Sequence, residues 1–140
     1  MDQVEWRAPG SPRLEFRMTS ETLLLRQIHP SFVQNGRATS QAFRPTPKDE
    51  SQLSLDNGDK VLPEVAWRRF SLQPECSSYG VMAVSHGECS TNSIRVVEDG
   101  APYPEHCYID FSSFGTKASE RIGKKLAALA HSRGWLYVAK

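Results

Sequence analysis

The sequence predicts an α+β domain: a small, mainly antiparallel sheet with one long C-terminal helix packed on it. Three observations lead there. Short apolar or alternating runs recur along the chain at Thr22–Ile28, Gly80–Val84 and His106–Phe111. Turn-forming residues separate them. From Thr116 onward, Ala118, Ile122, Leu126, Leu129 and Ala130 recur at helical spacing, with Lys and Arg opposite.

At 140 residues the chain has the size of one domain with a single core. Hydrophobic residues make up 39% and charged residues 24%, the proportions of a globular protein. The formal net charge is +1, from 17 Lys+Arg against 16 Asp+Glu, so a broad electrostatic contact with nucleic acid or an anionic membrane is not expected. No apolar run approaches the ~20 residues of a membrane span, and the N-terminus shows no basic-then-apolar signal pattern. Cys76, Cys89 and Cys107 are odd in number and irregular in spacing. They read as free thiols of a cytoplasmic protein rather than a disulfide framework.

In chain order, residues 1–20 read as a loosely ordered segment broken by Pro9, Gly10 and Pro12, with a short edge strand near Leu14 and Phe16. The globular domain spans 21–140. Thr22–Ile28 is a strand closed by His29-Pro30, because a proline biases its predecessor toward extended backbone. Asn35-Gly36 is a turn, and Ala38–Phe43 reads as a short second strand stopped by Pro45 and Pro47. Leu53–Leu55 is a brief apolar segment before the turn Asp56-Asn57-Gly58. Pro63 suits a first helical turn, and Pro63–Phe70 follows as a short helix. Ser71–Tyr79 is a loop, and Gly80–Val84 a buried strand. Ser85 and Glu88 have the spacing of a capping box for a helix from His86 to Thr91. Arg95–Val97 and His106–Phe111 are strands on either side of the Gly/Pro-rich loop Asp99–Glu105. Thr116 caps the last helix, Gly134 ends it, and Trp135–Val138 returns as a strand.

The polar stretch from His29 to Glu50 and the strand ends around Cys89 and Glu105 hold the candidate chemistry. His29, Cys89 and His106 stand at the ends of different strands. A thiolate and two imidazoles are donors that suit zinc, with Glu105 as a fourth ligand or as a general base toward a bound water. A second arrangement is a nucleotide site. In it Arg26 and Arg37 supply guanidinium groups for phosphate, and Ser40 with the Gly36–Thr39 turn supplies hydroxyls and amides. A strand-borne Arg or His, then Thr39-Ser40, then Glu88 or Glu105, resembles the ADP-ribosyltransferase fold. That resemblance implies NAD or ADP-ribose as ligand. A third option is a thiol nucleophile at Cys89, three residues from His86. Against each stands a plainer role: core packing for the cysteines, strand-end hydrogen bonding for the histidines, and a solvated loop for Lys48-Asp49-Glu50.

The runs RQIHPSFVQNGRATSQAFRPTPKDESQLS, GVMAVSHGEC and PYPEHCYIDF, with the closing SRGWLY, resemble a group of small bacterial proteins defined by sequence rather than by an activity. The group is associated with mobile-element or defence gene clusters, including ones that encode ubiquitin-like conjugation parts. The resemblance implies an accessory role with a protein partner and a Cys/His metal set of His29, Cys89 and His106 beside Glu105. A protein-interaction module without catalysis is the remaining class.

Overall fold

The computed structural model describes residues 18–46 and 49–139. The strand expected near Leu14 and Phe16, and most of the N-terminal segment, lie outside them. The expected α+β architecture is present. Strands β1 (Leu23–Ile28), β4 (Gln52–Asn57), β5 (Gly80–Ser85), β6 (Val96–Val97), β7 (His106–Asp110) and β8 (Tyr137–Val138) form one sheet, in the order β6-β7-β4-β1-β5-β8. Every pairing in it is antiparallel. A separate hairpin joins β2 (Val33–Gln34) to β3 (Arg37–Ala38) through Asn35-Gly36, both at positive φ, as a tight hairpin turn requires.

Three helices complete the fold: α1 (Pro63–Ser71), α2 (His86–Thr91) and α3 (Thr116–Arg133). Proline at the first position starts α1, where its missing N–H costs no bond. Both bonds of the capping box are made in α2: Glu88 N–H donates to Ser85 Oγ, and Ser85 N–H donates to the Glu88 carboxylate. The N-cap of α3 is Gly115, so Thr116 is its first helical residue rather than its cap.

Two expectations about elements change. Ala38–Phe43 is not a strand: Arg37–Ala38 closes the hairpin, and Ser40–Phe43 winds into a 3-10 turn that buries Ala42 and Phe43. The apolar pair is spent on packing against α3, where Gly123 lets the turn approach. A Cβ there would fall 2.5 Å from Arg44 Cγ. Leu53–Leu55, expected as a brief apolar segment before a turn at Asp56-Asn57-Gly58, belongs to a strand that runs on through Asp56 and Asn57: Asp56 pairs with both β1 and β7, and Asn57 with β1.

The two faces of the sheet are covered unequally. On one face Leu24, Ile28, Leu53, Leu55, Met82 and Ile109 meet α3 and the Ser40–Phe43 turn in the main core. On the other, α1 covers only the β1-β5-β8 half, where Leu25, Val81 and Ala83 close on Ala66 and Trp67. Strand β5, covered on both sides, is buried throughout. Strands β4 and β7 alternate instead: their inward residues are apolar apart from Asn57 at the end of β4, and their outward residues are polar, among them Ser54, Asp56, His106 and Tyr108. That polar half-face beside α1 positions the site.

Candidate functional site

A cavity of about 600 Å³ opens where the α1 cover ends. Its cause is a split in the sheet. Strands β1 and β4 pair only at Leu24↔Asn57 and Leu25↔Asp56, and then part. Arg26 enters the gap. Its Nε donates to Ala42 O at 2.8 Å and its Nη1 to Ser54 O at 3.0 Å, replacing ladder bonds that the parted strands cannot make. Burial lowers the guanidinium to about 10, an effect that the charge of Asp49 opposes. No carboxylate of a described residue lies within ion-pair distance of it. Asp49 is turned toward its own loop, accepting from Thr46 N–H and Thr46 Oγ1, each at 2.7 Å.

Along the cavity wall, Arg69 of α1 pairs with the buried carboxylate of Glu105 and lies 4.0 Å from the centre of the Tyr103 ring. Asp56 stands opposite His106 in the β4–β7 register. Burial raises the Asp56 carboxyl above its ordinary range, with Arg69 and His106 acting against that shift. Asp99 Oδ1 sits 2.7 Å from His106 Nδ1. Since an ionised carboxylate only accepts, Nδ1 is the donor of this pair, and in the neutral tautomer Nε2 keeps its lone pair. This is the arrangement of an oriented base or ligand imidazole. His29 is the reverse: its Nδ1 accepts from Ser31 N–H at 3.0 Å, so its neutral ring carries the proton on Nε2.

The expected site residues therefore divide. Arg26, His29 and His106 line the cavity, and Glu105 anchors Arg69 at its wall. Cys89 does not join them. It lies in the main core on the opposite face of the sheet, where burial and the charge of Glu88 push its thiol up to about 12. The expected three-ligand set thus has two histidines at one cavity and its thiol elsewhere. Among the described residues no group of three or more His, Cys, Asp and Glu is placed to hold a metal ion. Arg37 is on the hairpin, with Nη2 3.2 Å from Nδ1 of His131 on α3. Ser40 opens the turn packed under α3. Neither reaches the cavity. Glu88, the other carboxylate considered, is engaged by the α2 cap and by two contacts of 3.1 Å from Arg133.

Asp56, Arg69, Tyr103 and Gln27 also form the site and were not singled out from the sequence. The available signal was polarity out of place. Gln27 follows an arginine inside an otherwise apolar strand, and Asp56 sits at the end of an alternating run. No family model, curated protein or solved structure matches the chain. Among the described residues no helix is long and apolar enough to cross a membrane.

Proposed function

We propose that this domain binds a nucleotide-sized, anion-bearing small molecule in the cavity beside α1. The carrying observation is Arg26. Two edges of its guanidinium are fixed by main-chain carbonyls, and its charge sits in the split of the sheet without an ion-pair partner among the described residues. A partly buried charge left in that state is costly, and an anionic group on a ligand would offset the cost with charge-assisted hydrogen bonds. A volume of about 600 Å³ is that of a small-molecule site. Phe32, Phe70 and Tyr103 in its wall offer surfaces for a ring. Of the ligand classes weighed from the sequence, these features favour a nucleotide such as ADP, ADP-ribose or NAD. The bacterial defence or conjugation setting suggested by the sequence resemblance would make such binding a trigger for a protein partner.

Thermal unfolding with ADP, ADP-ribose and NAD tests the reading. Ligand at a hundred times its dissociation constant stabilises the fold by about 2.7 kcal/mol, a clear rise in Tm. Arg26→Lys keeps a positive charge but loses the fork that bonds Ala42 O and Ser54 O, and it is expected to reduce the rise. No shift with any of the three would overturn the proposal.

A further inference from the structure

Gln27 lies next to Arg26 on β1, lines the same cavity, and has a different problem. Both polar atoms of its carboxamide, Oε1 and Nε2, are shut off from solvent and have no hydrogen-bond partner among the described residues. It stands opposite Val81 in the β1–β5 register, and that pairing holds the strand in place. Native proteins rarely leave both ends of one buried amide unmet, and such a group calls for a specific explanation. The last torsion of a glutamine side chain has broad, shallow wells. Rotation about that bond re-aims the donor and the acceptor of the amide at little cost.

We infer that Gln27 reads the edge of a planar heterocycle, and that the ligand is an aminopurine nucleotide. This rests on the nucleotide reading above and names the end of the ligand that Arg26 does not hold. A carboxamide offers one acceptor and one donor side by side. The complementary partner is a ring edge with a donor beside an acceptor, as on adenine, where N6–H and the adjacent ring nitrogen form a two-bond match to glutamine. The aromatic walls provided by Phe32, Phe70 and Tyr103 suit a flat ring. Arg26 then takes the phosphate end. An aliphatic phosphate would leave the Gln27 amide as unmet as before.

The test compares two probes by titration calorimetry: ADP, and the diphosphate of unsubstituted purine riboside, which lacks the 6-amino donor. Wild-type protein is expected to prefer ADP by roughly 5- to 150-fold, the worth of a two-bond base contact. Gln27→Met removes both polar atoms at similar length and is expected to bind the two probes alike. Its thermal unfolding without ligand should be no lower than wild type, since an unpartnered buried amide has been exchanged for an apolar group. Arg26→Lys is expected to weaken both probes equally. Wild-type protein that binds ADP but does not discriminate would overturn the role of Gln27 and leave the nucleotide reading standing. So would a preference that survives in Gln27→Met. Failure of both probes to bind would overturn the two together.

Discussion

A thiol reacts as its thiolate, so its surroundings decide its chemistry, and the three cysteines separate on that ground. Cys89 and Cys107 are completely buried in the main core, and burial pushes each up to about 12. Cys76 is half-buried in the wall of the cavity. Iodoacetamide at pH 8 is expected to modify Cys76 in the folded protein and to reach Cys89 and Cys107 only after denaturation, as peptide mass spectrometry would read. Bound nucleotide should slow the Cys76 reaction. Asp56 supports a second prediction, on pH. Its carboxyl is raised above the ordinary 3.8, chiefly by burial. The native state therefore holds that proton more tightly than the unfolded chain does. Its contribution must fall as pH rises from the ordinary carboxylate value through the raised one, and stay level above it. Asp56→Asn is expected to remove that decline from a plot of unfolding free energy against pH. An unchanged slope in the variant would refute the assignment.

At the scale of elements, local chemistry and long-range packing decided different parts of the fold. The α2 helix was legible because its cap is local. Ser85 and Glu88 stand three residues apart, and each bonds the other's main chain at 3.0 Å and 2.7 Å. Ser85→Ala should cost about 1 kcal/mol, measured as a shift of the urea midpoint with the slope unchanged. Most strands of the main sheet and the stripe of α3 were legible for the same reason, since periods of two and of helical spacing appear in the residues themselves; β4 was not, its Leu53–Leu55 reading only as a brief apolar segment before a turn. The Ser40–Phe43 turn was not. Ala42 and Phe43 look like strand residues, and only the approach of α3 at Gly123 makes a 3-10 turn the better way to bury them. The candidate site was legible in part. Arg26, His29, Glu105 and His106 stand at strand ends or break an apolar run, and that drew attention to them. Placing Cys89 with them failed because its position just after a strand end does not say which face of the sheet its side chain joins. Asp56 and Arg69 could not be found without knowing that β4 lies beside β7 and that α1 stops short of both.

The molecule as a whole divides its labour between the two faces of one sheet. One face is filled by α3 and the Ser40–Phe43 turn, with Phe43, Leu24, Leu53 and Leu126 among its largest fully buried side chains. The other face is half covered, and its open half presents polar residues to a cavity instead of a core. Such a division frees the open face from the packing that holds the fold, because apolar burial carries most of the stability and polar groups facing solvent carry little. The two faces should then respond oppositely to substitution. Leu126→Ala is expected to cost 2–5 kcal/mol, the range for deleting a buried leucine side chain down to its first carbon. Its effect on nucleotide affinity, measured well below the melting range, should be small. Ser54→Ala, on the cavity side of β4 with its main-chain carbonyl still available to Arg26, should leave stability within about 0.5 kcal/mol. Any effect it has should appear in binding. Chemical denaturation and calorimetry on the same two variants separate the cases. Comparable losses of stability from both would mean that the open half-face is part of the core, and that the cavity beside α1 is a packing gap rather than a site.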